Sequence, residues 1–229
     1  MLQWRSGSAG LDVSSAVPFK VGSSVADLMG LMGAPMSFDR DSEIFAEDEA
    51  ADYIYRVVTG AVRLTKLLSD GRRQIGAFYL PGDLFGLDAE ETHSFAAEAV
   101  GACRILVVKR SAMLTHAARD GDMLRQLWTQ TVGHLQRAQG HMLLLGRRNA
   151  QEKLAAFLTE MAERLHTSGS VELPMSRQDI ADYLGLTIET VSRTLTQLER
   201  EGVISIPVSR RIVLRDRPSL DELTDTLAA

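Results

Sequence analysis

The sequence predicts an α+β protein: an N-terminal antiparallel β-roll of jelly-roll type, one long helix, and a C-terminal winged helix-turn-helix. Three patterns carry that expectation. Between about residues 36 and 108, short apolar or alternating runs are separated by glycine turns. From Leu124 to Leu145, apolar residues recur at alternating steps of four and three. From Ser176 to Glu201, two helical patterns flank Gly185, and two β-branched runs follow directly. The implied units are a leader (1–20), a β-roll (21–118), a long helix (119–147) and a C-terminal domain (148–229).

The first twenty residues are rich in Ser, Gly and Ala and lack a basic stretch followed by an apolar core. They read as a mobile leader, not a signal peptide. Residues 22–33 suit a short capped helix. Strand-like runs then fall at 43–46, 53–58, 61–68, 73–80, 94–100 and 103–108, punctuated by Gly60, Asp70-Gly71, Pro81-Gly82 and Gly101. Ser111–Ala118 is a short helix, and a long one runs from Asp122 to about Leu145. Its Leu124, Trp128, Thr131, Leu135, Ala138, Met142 and Leu145 form a heptad seam, which suits a parallel helix pair between two copies of the chain. The alternative is one helix packed on its own β-domain. Residues 146–149 interrupt the pattern, and Asn149 caps a second helix, Ala150–Leu165, with Leu154, Phe157, Leu158 and Met161 inward. A polar loop at 166–170 leads to a strand at Val171–Leu173.

Ser176 is a good N-cap, with Asp179 three residues on. Ile180, Ala181 and Leu184 share a face; Gly185 lets the chain leave that helix, and Leu186 returns to the core. Thr187 caps the next helix. There Val191, Leu195 and Leu198 make an apolar stripe, with Glu189, Arg193, Thr196 and Arg200 opposite, Ser192 to one side and Ile188 at the tip. This is the groove-reading helix-turn-helix layout. Taken alone, Glu189 and Arg193 equally suit a solvated i,i+4 pair. Residues 203–206 and 212–214 form a hairpin turning near Pro207–Arg210. Arg210 and Arg211 at its tip either meet phosphates or are merely solvated.

With 229 residues, 45% of them hydrophobic, the chain can bury real cores. No stretch nears 18 uncharged apolar residues. A lone cysteine, Cys103, rules out an internal disulfide and suits a reducing cytoplasm; its strand-like setting suggests a buried inert thiol over a redox sensor. The net charge of −5 is unusual for a DNA binder. Segment 171–215 is itself neutral: Arg177, Arg193, Arg200, Arg210, Arg211 and Arg215 face Glu172, Asp179, Asp182, Glu189, Glu199 and Glu201. That predicts weak non-specific affinity unless the arginines cluster. No phosphate-loop, dinucleotide or metalloprotease motif occurs, nor a nucleophile–base set, so nothing favours an enzyme. His134 and His141, two helical turns apart, read as solvated or packed rather than as metal ligands.

Three stretches resemble the CRP/FNR family of bacterial transcription regulators, and the resemblance spans the chain from about residue 22. They are Pro-Gly-Asp-Leu-Phe-Gly (81–86), the run 143–158 through Gly-Arg-Arg-Asn-Ala-Gln-Glu-Lys-Leu, and the helix-turn-helix at 176–193. Glu189, Ser192 and Arg193 resemble the FNR/FixK branch, whose members recognise TTGAT…ATCAA inverted repeats. The resemblance implies a cyclic-nucleotide-binding-like β-roll and a cytoplasmic homodimeric regulator, an activator, on double-stranded DNA. It also implies RNA polymerase contacts through the β-roll and loop 166–170.

On that basis Arg193 would give two donors to guanine O6 and N7, Glu189 would accept from cytosine N4, and Ser192 and Ile188 would meet thymine. Ser176, Arg177, Thr187, Thr196, Arg200, Arg210 and Arg211 would hold phosphates. Two departures bear on an effector. Cyclic-nucleotide binders carry an Arg-Ser pair whose arginine neutralises the phosphate; here that place is His93-Ser94, and 82–103 contains no arginine or lysine but Asp83, Asp88, Glu90, Glu91 and Glu98. Iron–sulfur sensors need four thiolates, and one cysteine is present. The expectation is a FixK-like regulator with no cofactor. The alternative is a sensor regulator of the same family gated by a small ligand in the β-roll or by haem, with His93, His116, His134 or His141 as candidate haem ligands.

Overall fold

The computed structural model describes residues 24–146, 149–167 and 169–225. The proposed leader, residues 147–148 of the interruption and Ser168 of the polar loop lie outside them. Helix α1 (Val25–Met32) opens on a capping box: Ser24 Oγ accepts from the Asp27 amide, and the Asp27 carboxylate accepts from the Ser24 amide. Eight strands follow: β1 (Ala34–Phe38), β2 (Glu43–Phe45), β3 (Tyr53–Thr59), β4 (Val62–Leu67), β5 (Arg73–Tyr79), β6 (Leu84–Phe85), β7 (Ala96–Ala99) and β8 (Cys103–Lys109). They form two antiparallel sheets, β1-β8-β3-β6 and β2-β7-β4-β5. Strands β1 and β6 have no counterpart among the runs expected from sequence.

Alternation along the strands points Phe45, Tyr55, Val57, Tyr79, Phe85, Ala97 and Ile105 into the space between the sheets. Aromatic rings fill that space: Phe85 stacks at 5.0 Å on Tyr55 and 5.2 Å on Tyr79. His93 lies among them, fully buried, its ring 3.6 Å from Phe45 and its Nδ1 2.7 Å from Asp88 Oδ2. Cys103 is a buried free thiol whose pKa burial raises, the setting of an inert residue.

Helix α2 (Arg110–Ala117) leads into α3 (Gly121–Gly146), which has two distinct faces. Met123 and Leu127 pack with Val25 and Met29 of α1 and Met113 of α2. On the other face Leu124, Trp128, Leu135 and Met142 are 56%, 69%, 57% and 65% exposed, an apolar stripe that the other described residues leave uncovered. Thr131 and Ala138 are exposed on it too. Leu145, placed at the end of the same seam, is half-buried near Gly185.

The two histidines of α3 are packed. His141 stacks on Tyr183 at 3.9 Å, and His134 lies 5.4 Å from Tyr79. Burial, aided by Arg137, lowers the His134 pKa to about 4, and burial lowers that of His141 too. Both sit below the usual 6.5, so the folded state favours the neutral ring. The contribution of His134 is complete above pH about 6.5 and is lost as pH falls toward about 4, and that of His141 is lost in the same direction, below its usual 6.5. The thermal midpoint therefore drops across that window, and His134→Gln flattens the decline; an identical profile in the variant would contradict the assignment.

Beyond α3, Asn149 Oδ1 accepts from the Gln151 amide and caps α4 (Ala150–Arg164). Leu154, Phe157, Leu158 and Met161 are fully buried, each contributing about 1.5–3 kcal/mol. Strand β9 (Ser170–Glu172) precedes α5 (Arg177–Leu184) and α6 (Ile188–Arg200); then come β10 (Ile204–Val208), β11 (Arg211–Leu214) and α7 (Arg217–Asp225). The three strands form a sheet of order β10-β11-β9, the wing. Its turn is Ser209-Arg210, and Pro207 lies inside β10, next to a register shift between Ser205 and Val208. One apolar core runs from Ile75, Phe78 and Leu80 of the β-roll through α4, α5 and α6 to Leu220 of α7.

A candidate nucleic-acid interface

The helix-turn-helix is built by local chemistry. Ser176 Oγ accepts from the Asp179 amide, and Asp179 Oδ2 takes the Ser176 amide and hydroxyl, so both ends of the box close. Gly185 ends α5 in the left-handed region at φ 63°, and its amide donates to Ala181 O. A Cβ there would meet nothing nearer than Leu145 at 3.5 Å, so the need for glycine is conformational, not steric. Gly185→Ala should cost about 1 kcal/mol in chemical denaturation, with base preference unchanged. Thr187 Oγ1 then accepts from the Thr190 amide to start α6.

Burial sorts α6 as its periodicity predicts: Val191, Leu195 and Leu198 are inside, with Ile188, Glu189, Arg193, Thr196 and Arg200 exposed. Glu189 and Arg193 form no ion pair or hydrogen bond with another described residue, so the i,i+4 pairing is not made. Both side chains are exposed to solvent. Ser192 is half-buried and accepts from Arg177 Nη1 at 3.3 Å, which ties α5 to α6. Ser192, Arg193, Thr196 and Arg200 line one shallow groove with Gln197, a residue passed over in the sequence because its type carries no charge signal.

The remaining sequence-predicted contacts differ in freedom. Thr187 and Arg200 are exposed, and Thr196 is exposed with its hydroxyl donating to Ser192 O. Ser176 and Arg177 are half-buried at the start of α5, both engaged within the motif. Arg210 is half-buried and donates to Pro174 O at 3.3 Å, folding back against the domain. Arg211 is exposed on β11 and donates to Ser170 Oγ at 3.0 Å. A cleft also lies beside the N-terminus of α6, lined by Thr187–Thr190 and, from the β4–β5 hairpin, by Arg72, Arg73 and Gln74.

That hairpin grips α5. Arg63 of β4, buried, donates to Glu98 (2.8 Å), Asp41 (2.9 Å) and Asp179 (3.1 Å). Arg73 of β5 donates to Asp179 Oδ1 at 2.9 Å and Asp182 Oδ2 at 2.8 Å, and Gln74 donates to Asp182 O at 2.8 Å. Burial works against the Asp179 carboxylate, but Ser176, Arg63 and Arg73 together hold its pKa below the usual range. At the other end of α5, His141 Nε2 lies 2.7 Å from Tyr183 O, and Lys153 Nζ donates to Leu184 O at 3.1 Å. Sequence reasoning missed these groups as a set.

A β-roll, a long helix with a bare apolar face and a winged helix-turn-helix define a class of transcription regulator, and family models agree with both ends. A cyclic nucleotide-binding domain matches residues 35–120, and a Crp-like helix-turn-helix domain matches residues 152–223. The chain belongs to the CRP/FNR family of transcription regulators, in its FixK branch. It is 52% identical over 203 residues to the nitrogen fixation regulation protein FixK of Azorhizobium caulinodans, covering 86% of this chain and 82% of that one. To the FixK of Bradyrhizobium diazoefficiens it is 46% identical over 179 residues, covering 76% of each. The solved structure of FixK2 from Bradyrhizobium japonicum superposes with a TM-score of 0.80 at 53% identity, covering 84% of this chain and 97% of that one. No helix among the described residues is long and apolar enough to cross a membrane.

Proposed function

We propose that the protein is an activator that binds a TTGAT-N4-ATCAA-type palindrome as a homodimer, in the cytoplasm, with no cyclic nucleotide or iron–sulfur cluster. The outward face of α6 carries this: Glu189 and Arg193 are exposed and unpaired among the described residues, at the spacing that meets cytosine N4 and guanine O6/N7. Ile188 and Ser192 flank them for thymine, and Thr187, Thr196 and Arg200 are placed for phosphates. The bare stripe of α3 supports pairing of two chains, which presents two recognition helices to a two-fold site. RNA polymerase contact through the β-roll surface belongs to the same proposal. Gel shift on the palindrome against a scrambled duplex tests it; equal affinity for both contradicts it.

The β-roll interior does not fit a cyclic phosphate. His93 stands where the arginine would be, already bonded to Asp88 and stacked on Phe45. Asp88, Glu90 and Glu91 would repel an anion, and Tyr55, Tyr79 and Phe85 occupy the lumen. One cysteine cannot ligate a four-thiolate cluster. The alternative, a ligand- or haem-gated member of the family, draws on one feature: an apolar cavity between β5 and α3, onto which His134 opens with its Nε2 buried and without a hydrogen-bond partner among the described residues. Calorimetry with cyclic nucleotides and reconstitution with haem decide between them.

A further inference from the structure

We infer that Arg63, Arg73 and Gln74 of the β-roll, which lie outside the base-reading helix, set the half-site spacing the protein accepts, by fixing the angle of the helix-turn-helix against the dimer body. This rests on the two-fold operator proposed above. The recognition helix has little independent freedom, because Gly185 and the Arg177–Ser192 bond join α6 to α5. Its pose therefore follows that of α5, and α5 is held at both ends.

At the N-terminal end, one carboxylate serves two purposes. Asp179 Oδ2 closes the capping box of α5, while its Oδ1 receives both Arg63 and Arg73. One turn further along, Asp182 offers its side chain to Arg73 and its carbonyl to Gln74. The C-terminal carbonyls, Tyr183 O and Leu184 O, take His141 of α3 and Lys153 of α4. Helix α3 carries the apolar stripe assigned to the partner copy, so the clamp runs from dimer seam to reading head through directional hydrogen bonds, of which those from Arg63, Arg73 and Lys153 are charge-assisted. Several such bonds at two separated points resist rotation in a way that an apolar contact, which is non-directional, does not. The distance between the two α6 helices, and with it the number of base pairs between half-sites, is then a property of these contacts.

The test uses the full chain with Arg73→Ala and Gln74→Ala combined, because removing buried Arg63 would take from Glu98 its nearest cation and from Asp179 one of the two it pairs with. Fluorescence anisotropy measures affinity for palindromes with four, three and five base pairs between half-sites, and for a duplex with a single half-site. The unaltered protein prefers the four-base-pair spacer. In the variant that preference falls about tenfold while single half-site affinity stays within about twofold. Unchanged spacing preference overturns the inference, as does an equal loss on the single half-site, which marks damage to the reading head itself. Absence of any spacing preference in the unaltered protein instead contradicts the two-fold operator.

Discussion

Arg193→Ala is expected to erase the preference for guanine in each half-site. A bidentate arginine–guanine contact contributes about 1–3 kcal/mol of discrimination, so two half-sites lose roughly 2–6 kcal/mol on the operator. The side chain is exposed and makes no bond within the described chain, so folding should be unaffected. Gel shift with the guanine varied should therefore show a steep loss on the cognate duplex and none on the substituted one. The neutral charge balance of segment 171–215 sharpens the effect: little non-specific attraction remains to mask it. Undiminished guanine preference in the variant would remove the assignment of α6 as the reading helix.

Trp128→Glu with Leu135→Glu is expected to separate the dimer. Both side chains are more than half exposed in the single chain, so their loss leaves each fold intact. In a paired state the same change buries carboxylates in an apolar seam, each costing several kcal/mol unless neutralised. Sedimentation should give a monomer with unchanged helical content, and operator affinity should fall to that of one half-site. A variant that stays dimeric would move the interface off this face of α3.

The helix-turn-helix was legible because its signals are local. Ser176 and Asp179 lie three residues apart, Gly185 follows the last apolar residue of α5, and the α6 stripe keeps a strict helical period. The long helix and its bare face were legible for the same reason. Strand β1 was not: Ala34-Pro35-Met36-Ser37-Phe38 is an edge strand, exposed over most of its length, with no alternation to see and a proline that only an edge tolerates. Strand β6 has two residues, too few for any period.

Helix α7 did carry a signal. Asp216 accepts from the Ser219 amide and hydroxyl, and Pro218 sits in the first turn, a start pattern that the hairpin before it overshadowed. The grip on α5 had none. Arg63 and Asp179 are 116 positions apart, and Arg73 and Asp182 are 109 apart, so no periodicity relates them. Asp179 was legible as a cap; its second role appears only once the β-roll is folded against it.

Selection of bound duplexes from a random pool tests the central claim most directly, because half-site, spacing and symmetry are read together. Two TTGAT-like half-sites in inverted repeat at one fixed separation are predicted. Enrichment of a single unpaired half-site, or of no sequence at all, would contradict a two-fold reader built on α3.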